Sequence, residues 1–108
     1  MVTSITLVVK RDNVLLFVSN GNSWGFPCDT VDLSLPLADM CDMVAGKFGI
    51  SICKESISSI DIDGSAFAFT CNWKSGELSN GIWADPDILI PKPVDVFCGR
   101  VLDVILTN

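Results

Sequence analysis

The sequence predicts one α/β domain over residues 1–108, built as a mixed sheet with two main helices. Three observations lead there. The chain has 108 residues with 49% hydrophobic content, enough for one modest core in a single domain. Apolar residues recur with the period of strands in the opening and middle stretches. Two other stretches carry the 3.6-residue spacing of helices.

The elements follow in order. Residues 4–9 set Ile5, Leu7 and Val9 against Ser4, Thr6 and Val8, which reads as a strand. Arg11-Asp12-Asn13 is a turn, and Val14 to Ser19 is a second strand, completing a hairpin. Asn20 to Ser23 is loop chemistry, and Trp24-Gly25-Phe26-Pro27 is a short extended piece. Leu37, Met40, Cys41, Val44, Ala45 and Phe48 then fall on one helix face, with the helix expected over about residues 35–48. Ser34 is the expected N-cap, Pro36 belongs to the first turn, and Gly49 is the stop. Gly46 inside that helix costs about 1 kcal/mol against alanine, which points to close packing. Ile57 to Ile62 and Ser65 to Cys71 read as strands joined at Asp63-Gly64. Residues 72–77 read as loop, Gly81 to Ala84 as a short strand, and Val94 to Leu106 as a second helix.

Charge narrows the function. Seven basic residues face thirteen acidic ones, for a net charge of −6. The basic residues are scattered, and Lys10-Arg11 is their one adjacent pair. A nucleic-acid polymer needs a cationic face, so none is expected as partner. The chain has no histidine and no tyrosine, so acid–base work must fall to Asp, Glu, Lys or Cys. The five cysteines, Cys28, Cys41, Cys53, Cys71 and Cys98, have no zinc-type spacing and are expected as free, small hydrophobes. No apolar run approaches the ~18 residues of a membrane span, and the N-terminus lacks a signal-peptide pattern. A soluble cytoplasmic protein is the expectation.

Several segments together resemble the Nudix (MutT-like) family. Trp24-Gly25-Phe26-Pro27 is similar to the W-x-F-P lead into the Nudix box. Phe48-Gly49-Ile50 resembles the end of that box, and Phe67-Ala68-Phe69 the strand that follows. Ser75-Gly76-Glu77-Leu78 resembles the turn after that strand, and residues 82–89 the segment before the terminal helix. The resemblance implies a Nudix-like α/β/α sandwich and a cleft for nucleotides or other phosphate compounds.

The departures concern the metal. An active box reads G-x5-E-x7-R-E-U-x-E-E-x-G-U, and its glutamates hold divalent cations that bridge the pyrophosphate. Anchored on Gly49 and Ile50, the first glycine falls on Cys28, the first glutamate on Ser34, the R-E pair on Asp42-Met43 and the E-E pair on Gly46-Lys47. Anchored on Pro27 the register shifts by one residue, and the box holds no glutamate either way. The chain's glutamates are Glu55 and Glu77, both outside it. Mg²⁺ wants hard oxygen ligands, for which the helix region offers Asp32, Asp39 and Asp42, read first as a solvated face. The expectation is a catalytically degenerate domain that needs no cofactor and binds a nucleotide or phosphate compound, or a protein. The alternative is an active Mg²⁺- or Mn²⁺-dependent pyrophosphohydrolase whose catalytic and metal residues are Asp39, Asp42 and Asp32. Ligand-contact candidates are Trp24, Phe26 and Trp73 as aromatic surfaces and Lys47 as a phosphate-facing charge. The high mean hydropathy, +0.48, suits a homodimer or a protein partner. A phage or viral origin would fit so short a version.

Overall fold

The computed structural model describes residues 2–19, 21–60, 67–78, 80–88 and 90–107. Its elements are β1 (Val2–Arg11), β2 (Val14–Ser19), β3 (Trp24–Gly25), β4 (Cys28–Asp32), α1 (Leu37–Lys47), β5 (Ser51–Ile60), β6 (Phe67–Ser75), β7 (Gly81–Ala84) and α2 (Val96–Thr107). The described strands form one seven-stranded sheet with the path β3-β2-β1-β6-β5, while β4 pairs with β1 and β7 with β2. β1 runs parallel to β6 and antiparallel to β2 and β4, so the sheet is mixed.

Strand alternation sorts the side chains into two cores. Ile5, Leu7, Val9, Leu16, Val18, Phe69 and Cys71 face α1, which contributes Met40, Cys41, Val44 and Ala45. Val8, Leu15, Phe17 and Ala68 face α2, which contributes Cys98, Val101 and Leu102. The result is three layers, helix on sheet on helix.

The helix ends show how local chemistry sets boundaries. Gly49 has φ +79°, its N–H reaches the Gly46 carbonyl, and the Ile50 N–H reaches the Ala45 carbonyl. That is the paired closure a left-handed glycine allows, as its position in the sequence predicts. The other end differs from expectation. α1 is capped by Pro36 with no side-chain bond, while the Ser34 N–H donates to Asp32 Oδ1 at 3.0 Å. Ser34 lies three residues before the first helical residue and serves the preceding turn instead. Leu37, expected in the buried face, is 42% exposed because it opens the helix, and Gly46 packs against nothing.

The sheet also runs longer than the sequence pattern implies. β4, whose Cys-Asp-Thr-Val-Asp buries Val31 alone, carries too little apolar signal to be read as a strand. β5 begins at Ser51 rather than Ile57, because a bulge between Cys53 and Ser58 hides its period. There the Asn72 N–H donates to Ser56 Oγ at 2.8 Å, and Ser56 Oγ donates to the Cys53 carbonyl at 2.6 Å. A hydroxyl thus replaces the missing ladder partner. β6 continues through Asn72, Trp73 and Lys74, which read as loop in sequence. α2 begins at Val96 rather than Val94, since Asp95 is its cap. The Asp63-Gly64 turn lies outside the described residues. Among those residues no helix is long and apolar enough to cross a membrane.

Candidate functional site

The stretch similar to the Nudix box runs from β4 through α1. Lys47, in the last turn of α1, places its Nζ 3.1 Å from Asp29 Oδ2 and donates to the Thr30 carbonyl at 3.2 Å. The ammonium therefore bridges the helix end to β4. The Thr30 N–H and then Lys47 hold the Asp29 carboxyl below the usual carboxylate range. Of the other two positions in register with helical glutamates, Met43 is 47% exposed and Gly46 faces open space.

Two of the three aspartates have other engagements. Asp32 accepts the Ser34 N–H, which lowers its carboxyl pKa. Asp39 pairs with Lys54 at 3.4 Å. Asp42 borders a shallow groove with Ser51, Lys54, Glu55 and Lys74. Among the described residues no three Asp, Glu, Cys or His side chains gather where one ion would reach them. A hard divalent cation needs several converging oxygens, and a methionine, a glycine and a paired lysine do not supply them.

The four ligand-contact candidates do not converge. Trp24 and Phe26 belong to the α2 side, and Trp73 to the α1 side. Phe26 is 5% exposed and stacks on Phe17 with ring centroids 5.2 Å apart, so one face serves the core. Trp24 is half-buried; its N–H donates to the Pro93 carbonyl, and its carbonyl accepts the Asp95 N–H. Trp73 is half-buried rather than an exposed loop side chain, and meets Trp83 edge-on at 6.2 Å.

The structure adds a cavity of about 240 Å³ on the α2 side, lined by Thr6, Phe26, Cys28, Asp95, Phe97 and Cys98. Asp95 Oδ1 caps α2 by accepting the Cys98 N–H at 2.7 Å. Asp95 Oδ2 lies where a side chain at residue 25 would begin, so a larger residue there would have to displace the carboxylate. Burial pushes the Cys98 thiol up to about 12, with the Asp95 charge adding to the shift. Two rings, two thiols, a hydroxyl and a carboxylate suit a flat, uncharged group with N–H donors, and no cation lines the cavity to meet a phosphate. Sequence reading missed Asp95 because the apolar spacing starts the helix at Val94. It missed Asp29 because β4 has so little apolar pattern.

No protein-family model and no curated protein matches the sequence. Solved structures do match. A MutT Nudix hydrolase from Burkholderia pseudomallei superposes with TM-score 0.71 at 12% identity, over 95% of this chain and 96% of that one. The C-terminal domain of mouse MUTYH, solved in complex with human PCNA, gives 0.72 at 13% identity, over 99% and 88%. An ADP-ribose pyrophosphatase from Streptococcus suis gives 0.70 at 11% identity, over 97% and 87%. Identities this low speak for the fold alone. The layered mixed sheet, the helix closed by Gly49 and these superpositions agree: the chain has a Nudix-like fold.

Proposed function

We propose that this Nudix-like domain has given up metal-dependent hydrolysis and works as a binding module for a nucleotide-like or other phosphate compound. The observation that carries the reading is Lys47. It stands where a metal-binding glutamate would, and its charge is held at Asp29 and Thr30. A cation there repels the divalent ion that would neutralise developing charge on a phosphoryl group, and losing that contribution costs orders of magnitude in rate. The α2-side cavity supports binding of a flat organic group between Phe26, Phe97 and Asp95. A protein partner is the other occupant consistent with this fold, since the MUTYH domain was solved with PCNA. Exposed Leu33, Leu37, Met43 and Phe67 make self-association a further part of the proposal.

The test incubates the chain with nucleoside triphosphates, diphosphate sugars and dinucleotides, with Mg²⁺ or Mn²⁺. No turnover is expected. Turnover by wild type, lost in an Asp39→Asn, Asp42→Asn double variant, would replace this reading with the aspartate-based hydrolase. A nucleotide that raises the melting temperature without being cut supports it. Loss of that shift in Trp24→Ala would put the ligand beside the β3 segment.

A further inference from the structure

Cys28 stands at the rim of the α2-side cavity. Of the five cysteines it is the exposed one; Cys41, Cys71 and Cys98 are buried and Cys53 is half-buried. β4 pairs with β1 so that Cys28 lies opposite Thr6, and strand alternation puts both side chains on the α2 face of the sheet with Val8. Cys28 Sγ lies 3.1 Å from the Oγ of Ser4, the preceding residue on that face of β1. The contact steadies the sulfur at the edge of the cavity it lines.

The space beside this thiol holds polar groups that lack partners. Thr6 is 3% exposed, lines the cavity and makes no side-chain hydrogen bond among the described residues. No fully buried side-chain oxygen among those residues is left unpaired, so the Thr6 hydroxyl opens onto the cavity. A hydroxyl that deep calls for a partner. The Asp95 carboxylate accepts the Cys98 N–H through Oδ1 and makes no other hydrogen bond or ion pair among the described residues. Asp95 is also the one charged group lining the cavity, which Phe26 and Phe97 wall. These groups favour an occupant with N–H donors, a short apolar stem and no negative charge. So small a molecule binds weakly by itself, but a bond to Cys28 holds it beside its partners at high effective concentration.

We propose that Cys28 is a thiolation site for small amine-bearing thiols, and that the attached group lies in the α2-side cavity with its N–H donors on Asp95 and Thr6. The step is exchange with a low-molecular-weight disulfide. The Cys28 thiolate attacks one sulfur, a new S–S bond forms, the old one breaks, and the departing thiolate takes up the proton that Cys28 released. No cation lines the cavity to speed that attack, so selection acts through the stability of the product rather than through rate. A modified chain has the space between Phe26 and Phe97 filled and is closed to other occupants. The site shares its cavity with the function proposed above but not its ligand, so either stands without the other.

The experiment equilibrates the whole chain, native and unfolded in urea, with cystamine, 2-hydroxyethyl disulfide or glutathione disulfide, each against its own thiol. Peptide mapping by mass spectrometry reads the mixed disulfide at Cys28 itself. The unfolded chain has the same sequence charge of −6, so the comparison isolates what folding adds. For cystamine the native chain is expected to favour the adduct about ten-fold over the unfolded chain, the effect of a charge-assisted hydrogen bond to Asp95. The neutral disulfide should show little native preference, and glutathione, which brings carboxylates to Asp95, should be disfavoured. Asp95→Asn keeps an oxygen for the α2 cap and should remove most of the cystamine preference. Thr6→Val keeps the shape and should lower it about three-fold. Melting curves show that both variants fold, and by linkage the cystamine adduct should raise the melting temperature of wild type. A native preference that is absent, equal for all three disulfides, or unchanged in both Asp95→Asn and Thr6→Val would mark Cys28 as an ordinary surface thiol and overturn the proposal. Nucleotide binding by the unmodified chain keeps its own test.

Discussion

Replacing Gly25 by alanine tests whether Asp95 couples β3 to α2. Gly25 pairs with Val18 and is buried. A Cβ there would run into Asp95 Oδ2 and lie 3.3 Å from its Cγ. The carboxylate is the end of a flexible side chain, so it can swing away. Doing so gives up the Oδ1 bond to the Cys98 N–H, which is the cap of α2. Loss of such a cap costs about 1 kcal/mol, and residual crowding adds a fraction more. The expected destabilisation is about 1.5 kcal/mol in urea unfolding. Asp95→Ala alone is expected to cost about 1 kcal/mol. In that background the clash is gone, and Gly25→Ala becomes neutral or slightly stabilising through the unfolded chain. The double-mutant cycle should therefore show coupling above about 1 kcal/mol. Strict additivity of the two substitutions would refute the argument, because it would mean the alanine methyl is absorbed without disturbing the cap.

Other expectations concern the core and the thiols. Val44 is fully buried under the sheet, so Val44→Asp should cost several kcal/mol and leave little cooperative melting; an unchanged melting curve would mean that face is not core. All five cysteines should react as free thiols in denaturant, while in the native state Cys28 should react first and Cys41, Cys71 and Cys98 stay protected. Burial raises those three thiols from 9.0 to about 11, 12 and 12. Between pH 9 and 12 the unfolded chain loses thiol protons that the folded chain keeps. This contribution to stability is thus complete below pH 9 and declines above it, and serine or alanine at Cys71 should flatten the decline in alkaline urea melts. Gly76 has φ +97°, and a Cβ on it would sit 2.9 Å from Ile50 Cα, so Gly76→Ala should lower stability by about 2 kcal/mol.

The α/β class, the opening hairpin, the face of α1 and its stop at Gly49 were all legible in the residues. Each is written by short-range rules: alternation for strands, 3.6-residue spacing for helices, and the left-handed freedom of glycine. The absence of box glutamates was equally plain, because a missing residue type needs no coordinates. Tertiary structure decided what depends on a distant partner. β4 is a strand because β1 offers it a ladder, and β5 runs through its bulge because Ser56 satisfies the Asn72 N–H. Phe26 joins the core through Phe17, and Lys47 is held by Asp29, two contacts between different elements of the fold. Arg11, Trp73 with Glu77, and Trp83 come from three separate stretches and meet only when β1, β6 and β7 take their places in one sheet. Local periodicity encodes which face a residue presents, while the identity of the neighbour across that face exists only once the chain has closed on itself.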